Sequence, residues 1–205
     1  MTIAAPVAVT EGVRPVSFGL PLYLLFAVFT LLLFPLHESA HYLTYRLLGV
    51  HLHMTLNTAS PKDQSERRPI AELAGPLLNL VLASAAALAY DNSHSQRLWW
   101  AALGLTSAMM RLVIYVLVIG AAMVTGSGLS LGNDEPIAAH LWGLPSLTFV
   151  GVLTVPFVLI VWSIVRTFRG SRVRKVLHVL GLGLTMLCLG MLVGNVLDPW
   201  LFPNR

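Results

Sequence analysis

The sequence predicts an all-α polytopic membrane protein of about five transmembrane helices, with a short β-strand or hairpin after the first. Three observations carry that expectation. Only 11% of the 205 residues are charged and 56% are apolar, against about a quarter charged in a soluble domain. Uncharged apolar runs recur at Phe18 to Leu36, Leu73 to Tyr90, Leu112 to Val124, Leu144 to Val165 and Val179 to Leu197, most of them near the roughly twenty residues that cross a bilayer's hydrocarbon. Between the first two runs, Val50, Leu52, Met54 and Leu56 alternate with His51, His53, Thr55 and Asn57. That is the period of two of a half-buried strand.

In chain order, a mixed leader containing Glu11 and Arg14 precedes the first helix. It lacks a strongly basic start and a small-residue cleavage site, so it does not read as a removable signal peptide. Helix one is expected from about Pro21 to Leu48, where Gly49 supplies a stop. The alternating strand and the polar turn "ASPKDQSERRP" follow, then a second helix from Ile70 to Tyr90, broken in character at Gly75-Pro76. After the loop "DNSHSQR", a third helix runs from Leu98 to about Val124. The glycine-rich "TGSGLSLGNDEP" ends in Asn133, Asp134 and Pro136, which are helix-start residues, ahead of a short helix at Ile137 to Trp142. Further spans at about 145–167 and 176–197 flank the basic loop "RTFRGSRVRK". One domain covers 1–205, with its core at about 20–140.

The net charge of +4 comes from basic residues in loops beside apolar spans. Anionic headgroups of a lipid bilayer suit them there, and nucleic acid is excluded as a partner. Lys and Arg divide nearly evenly between the two faces, so they do not orient the chain. The single Cys188 rules out a disulfide framework and a cysteine metal site, and its place in an apolar run predicts a small buried residue. Arg111, midway along the third span, is expected to pair with a carboxylate such as Glu72. His51 and His53 are expected to face solvent, Asn195 and Asp198 to lie at the interface, and Trp99, Trp100 and Trp200 to belong to aromatic belts.

The exceptional stretch is "FPLHESAHYL", residues 34–43. Residues four apart on a helix share a face, so His37 and His41 can aim both imidazoles at one ion while Glu38 lies about 100° round. This is the H-E-x-x-H pattern of zinc proteases, whose glutamate accepts a proton from the water that the metal activates. With Arg46 at an interface, His37 is nine residues deeper, roughly 13 Å at 1.5 Å per residue. Ionisable groups that deep mark a functional site, because burying them in hydrocarbon is costly without a partner. A catalytic zinc site needs a third protein ligand. Asp134 is the leading candidate: helix one reaches the active face, helix two leaves it and helix three returns, which brings the Asp134 loop to the right side. Glu135 and His140 are held in reserve.

"HESAH" in an apolar helix, the strand-like "GVHLHMTL", "AGPLLN" (Ala74 to Asn79) opening the next helix, and an aspartate after a third span together resemble the site-2 protease family of intramembrane metalloproteases. The resemblance covers roughly residues 20–140. It implies a three-helix catalytic core, Zn2+ held by His37, His41 and Asp134, Glu38 as general base, and a transmembrane protein as substrate. Asn79 matches the asparagine of the family's G-P-x-x-N motif beside the active site. The aspartate stands in Gly-Asn-Asp-Glu-Pro rather than the family's Leu-Asp-Gly, and no PDZ or CBS domain is inserted, so the chain looks like a compact member. Its size points to a prokaryotic cell membrane.

A peptide bond in a helix is shielded by its own hydrogen bonds, so such an enzyme must first unwind its substrate. The Val50 to Asn57 strand offers an edge with which unwound backbone can pair. Asn79 is a candidate donor to substrate backbone or oxyanion. Two rival readings remain: a non-catalytic membrane protein of this fold that binds partner transmembrane helices, and a zinc hydrolase acting on lipid. The first gives Glu38 no purpose; the second requires an acyl pocket in place of a strand edge.

Overall fold

The computed structural model describes residues 16–93, 97–125 and 133–203. The leader with Glu11 and Arg14, His94 to Gln96, most of the glycine-rich segment and Arg205 lie outside the described residues. Helix α1 (Leu20–Leu47) is followed by strands β1 (Leu52–Met54) and β2 (Ala59–Pro61), a single 3-10 turn, and then α2 (Pro69–Glu72), α3 (Ala74–Asn92) and α4 (Arg97–Thr125). Next come α5 (Asp134–Leu141), α6 (Ser146–Arg166) and α7 (Arg172–Leu192), which passes through a π turn into α8 (Asp198–Leu201). Among the described residues, five helices, formed by α1, α3, α4, α6 and the α7–α8 run, are long and apolar enough to cross a bilayer.

Helix α4 is central, packing against α1, α3, α6 and α7. Its contact with α3 is close because the positions there are small: Ala83 and Ala86 face Gly104, and Ala83, Ala86, Ala101 and Ala108 are all fully buried. A Cβ on Gly104 would lie 2.7 Å from Ile164 Cδ1 and 3.3 Å from Ala86 Cβ. Glycine is what lets α3, α4 and α6 converge there. One end of the bundle gathers the start of α1, the end of α3, the end of α6 and the start of α7. There Phe18 stacks on His178, Tyr23 Oη lies 3.0 Å from His178 Nδ1, and Tyr90 bonds Thr167. The other end carries the hairpin, α2 and α5.

Helix α1 stops where expected. Gly49 adopts φ +78°, and the amides of Gly49 and Val50 donate back to the carbonyls of Arg46 and Tyr45. This is a Schellman closure, completed by burial of Val50 against Tyr45. The hairpin is shorter than its alternating pattern. Leu52 pairs with Pro61, His53 with Ser60 and Met54 with Ala59, and Thr55 N donates to Thr58 O, so Leu56 and Asn57 belong to the turn. His51 and His53 are exposed, as expected.

Three other expectations are corrected. The second helix breaks at Leu73, one turn before Pro76, because Pro76 sits in the first turn of α3, where no helical N–H is required. Cys188 is exposed, on the outward face of α7. Asp198 is buried rather than interfacial: its carboxylate accepts from Thr55 Oγ1 at 3.0 Å and Leu56 N at 2.8 Å, tying the hairpin to the last helix.

Candidate metal centre

His37 and His41 lie one turn apart on α1, each about 2% exposed, with their rings edge to face. Their Nε2 atoms are 3.1 Å apart. Asp134, in the first turn of α5, brings Oδ2 to 3.2 Å from His37 Nε2 and 3.4 Å from His41 Nε2. A tetrahedral ion with bonds of about 2.0–2.2 Å separates its donors by roughly 3.3 Å. The triangle is therefore the size of one face of a zinc coordination sphere, and among the described residues these three form the one such His, Cys and carboxylate group.

The surroundings fit the same purpose. A Cβ on Gly75 would collide with the Nε2 atoms of both histidines, so glycine at the start of α3 keeps the space in front of the donors open. His41 Nδ1 lies 2.7 Å from the Ala71 carbonyl. A carbonyl only accepts, so Nδ1 carries the proton and Nε2 keeps its lone pair for a ligand. Ala71 is placed in turn by its neighbour Glu72, which is buried, accepts from Tyr45 Oη and lies 3.7 Å from Arg67. Burial raises the Glu72 carboxyl above its usual range, against the opposing pull of Tyr45 and Arg67.

Arg111, on α4, is buried beside this triangle. Its Nη1 is 3.3 Å from Asp134 Oδ2 and 3.4 Å from His37 Nε2, and Nη2 is paired with Glu135. Tyr115, one turn further on, donates to Glu135 Oε1 at 2.6 Å. These bonds clamp the start of α5 onto α4, which is what presents Asp134 to the histidines. Burial pushes the Asp134 carboxyl up, but its close contacts with His37 and His41 and the Arg111 charge outweigh it and hold it well below the usual carboxylate range. Arg111 and Glu135 balance each other, so the ionised Asp134 leaves the pocket with negative charge to offer a cation.

Glu38, next to His37 on α1, is half-buried, within electrostatic reach of His41 and Asp134 and of the Ala59 backbone in β2. Asn79, one turn beyond Gly75 on α3, is fully buried, and among the described residues neither amide atom has a hydrogen-bond partner; the same holds for His37 Nδ1 and Arg111 Nε. A buried amide without partners carries an energetic cost of about 1–3 kcal/mol, which a ligand reaching it would relieve.

No protein-family model, curated protein or solved structure matches the chain. The chemistry has to be read from these side chains themselves.

The structure brings together His37, His41 and Asp134, with Glu38 adjacent. Of the reserve ligands, Glu135 is taken up by Arg111 and Tyr115, and His140 is exposed at the far end of α5. Arg111 does not pair with Glu72, which belongs to Tyr45 and Arg67 at the α2 end. Sequence reasoning missed the Arg111–Tyr115–Glu135 clamp. The available signal was a lone cation and a tyrosine four residues apart in an otherwise apolar span, opposite the adjacent acids Asp134 and Glu135.

Proposed function

We propose that the chain is a multi-pass membrane enzyme, a zinc-dependent endopeptidase that hydrolyses peptide bonds in or near the transmembrane segments of other proteins in a prokaryotic cell membrane. The observation that carries the reading is the donor triangle of His37, His41 and Asp134, with sides of 3.1, 3.2 and 3.4 Å. A zinc ion bound there would supply the Lewis acidity that readies a water for attack on a carbonyl.

The chain's own groups supply the rest. Glu38, next to the ligands and half-buried, accepts the proton of the attacking water on its carboxylate and returns it to the leaving amine. Asn79 Nδ2, which meets no acceptor among the described residues, is the donor for a substrate carbonyl oxygen as charge builds on it. The hairpin lies against α1 beside Glu38. Its edge offers backbone groups to a substrate segment drawn out of its helix, replacing the hydrogen bonds that segment gives up. Arg111 keeps Asp134 in line by way of Glu135.

The test is Glu38→Gln. Purified E38Q should bind as much zinc as the parent chain, while cleavage of a co-expressed single-span substrate stops. Cleavage at the parental rate would remove Glu38 from the chemistry, and a parent chain without stoichiometric metal would remove the metallopeptidase.

A further inference from the structure

Toward the end of the bundle opposite the candidate metal centre, α6 and α7 both pack against α4 and leave a groove of about 650 Å³ between them. The volume lies within the roughly 300–1,000 Å³ of small-molecule sites. Its floor is Met109 and Leu112 of α4, and its walls include Val158 and Trp162 of α6 and Val176 and Leu180 of α7. The four wall residues are all exposed. At the mouth the character changes abruptly, because Arg166, Arg172 and Lys175 line it. The Arg166 guanidinium lies over the Trp162 ring, 4.9 Å from its centroid, and Lys175 Nζ reaches back to the Arg166 carbonyl at 2.7 Å, drawing both cations toward the opening.

No acidic residue occurs anywhere from Pro136 to Leu197. Among the described residues, none of the basic side chains from Arg166 to Lys175 forms an ion pair with a carboxylate. Three cations thus stand at the end of an apolar channel, and among the described residues no carboxylate pairs with them. We infer that this groove is a binding site for one anionic phospholipid, whose phosphate sits among Arg166, Arg172 and Lys175 and whose acyl chain lies along the α6–α7 groove over Met109 and Leu112. The complementarity runs in both directions. An apolar chain alone gains nothing from the cations, and a free phosphate gains nothing from the channel below them.

This inference rests on the chain lying in a bilayer and is independent of the metal. The test is native mass spectrometry of the full chain released from vesicles of equal phosphatidylglycerol and phosphatidylcholine. The expected result is one retained phosphatidylglycerol, favoured roughly tenfold or more over phosphatidylcholine. R166Q/R172Q/K175Q should abolish the preference, while R169Q/R174Q, which removes cations that do not line the groove, should keep it. Val176→Trp, which fills the channel and leaves every charge in place, should reduce retention of either lipid. Equal retention of both lipids, or an equal loss in R169Q/R174Q, would overturn the site and show only a diffuse attraction to charged surface. A second protein chain in the groove would overturn it as well. Recovery of the chain in the soluble fraction after membrane sedimentation would instead overturn the membrane placement, a result read before any lipid is weighed.

Discussion

Gly75→Ala is the sharpest perturbation of the candidate metal centre, since it adds one methyl group at the point where the two imidazoles converge. An added Cβ would lie 2.5 Å from His37 Nε2, where ordinary van der Waals contact begins near 3.4 Å. The ring or the start of α3 must therefore retreat by about 0.9 Å. A metal site tolerates ligand displacements of only about 0.2 Å, so the triangle of 3.1 to 3.4 Å cannot hold its shape. Changes to the partners that merely orient a ligand already cost about 10–100-fold in affinity; a direct collision with the donors should cost at least about 100-fold. Alanine is otherwise a good helix former, so helicity by circular dichroism should match that of the parent chain. The assay is elemental analysis after equilibration with zinc and desalting, together with competition against a chelator of known affinity. If G75A keeps one zinc per chain with parental affinity, the ion does not sit in front of these Nε2 atoms, and the triangle is not its site.

Other outcomes follow from the same contacts. Asp134→Ala should lower bound zinc sharply, and undiminished zinc by elemental analysis would send the third ligand elsewhere. Arg111→Met strands the buried Glu135 and should destabilise the fold by about 3–5 kcal/mol; R111M/E135Q should recover most of that in denaturant unfolding, and equal loss in both would deny the clamp. Because burial raises the Glu72 carboxyl, the folded state holds its proton more tightly than the unfolded chain. Its contribution to stability is then full below the unfolded value of 4.5 and is lost as pH rises through the folded value. Thermal midpoints recorded across that window should fall with rising pH, and the slope should be smaller in Glu72→Gln.

Much of this architecture was legible in the chain because its causes are local. The apolar runs give the helices, Gly49 ends α1 through a left-handed residue, and the alternation after it gives the hairpin. His37 and His41 share a face of α1 by helical geometry alone, with Glu38 beside them. The boundaries slipped where local rules compete: Pro76 looks like a breaker, yet the first turn of a helix accepts it, and Leu56 and Asn57 continue the alternation but form the turn.

What the tertiary structure decided is everything that joins residues distant in sequence. It set Asp134 opposite the histidines 97 and 93 positions earlier, gave Arg111 to Glu135 and Asp134 and left Glu72 to Tyr45, buried Asp198 beneath the hairpin, and turned Cys188 outward. Periodicity marks which residues can face inward. It carries no record of which buried charge meets which, because that depends on how α2, α4 and α5 pack, and each of those pairings is worth forming only where the other helices have already excluded water.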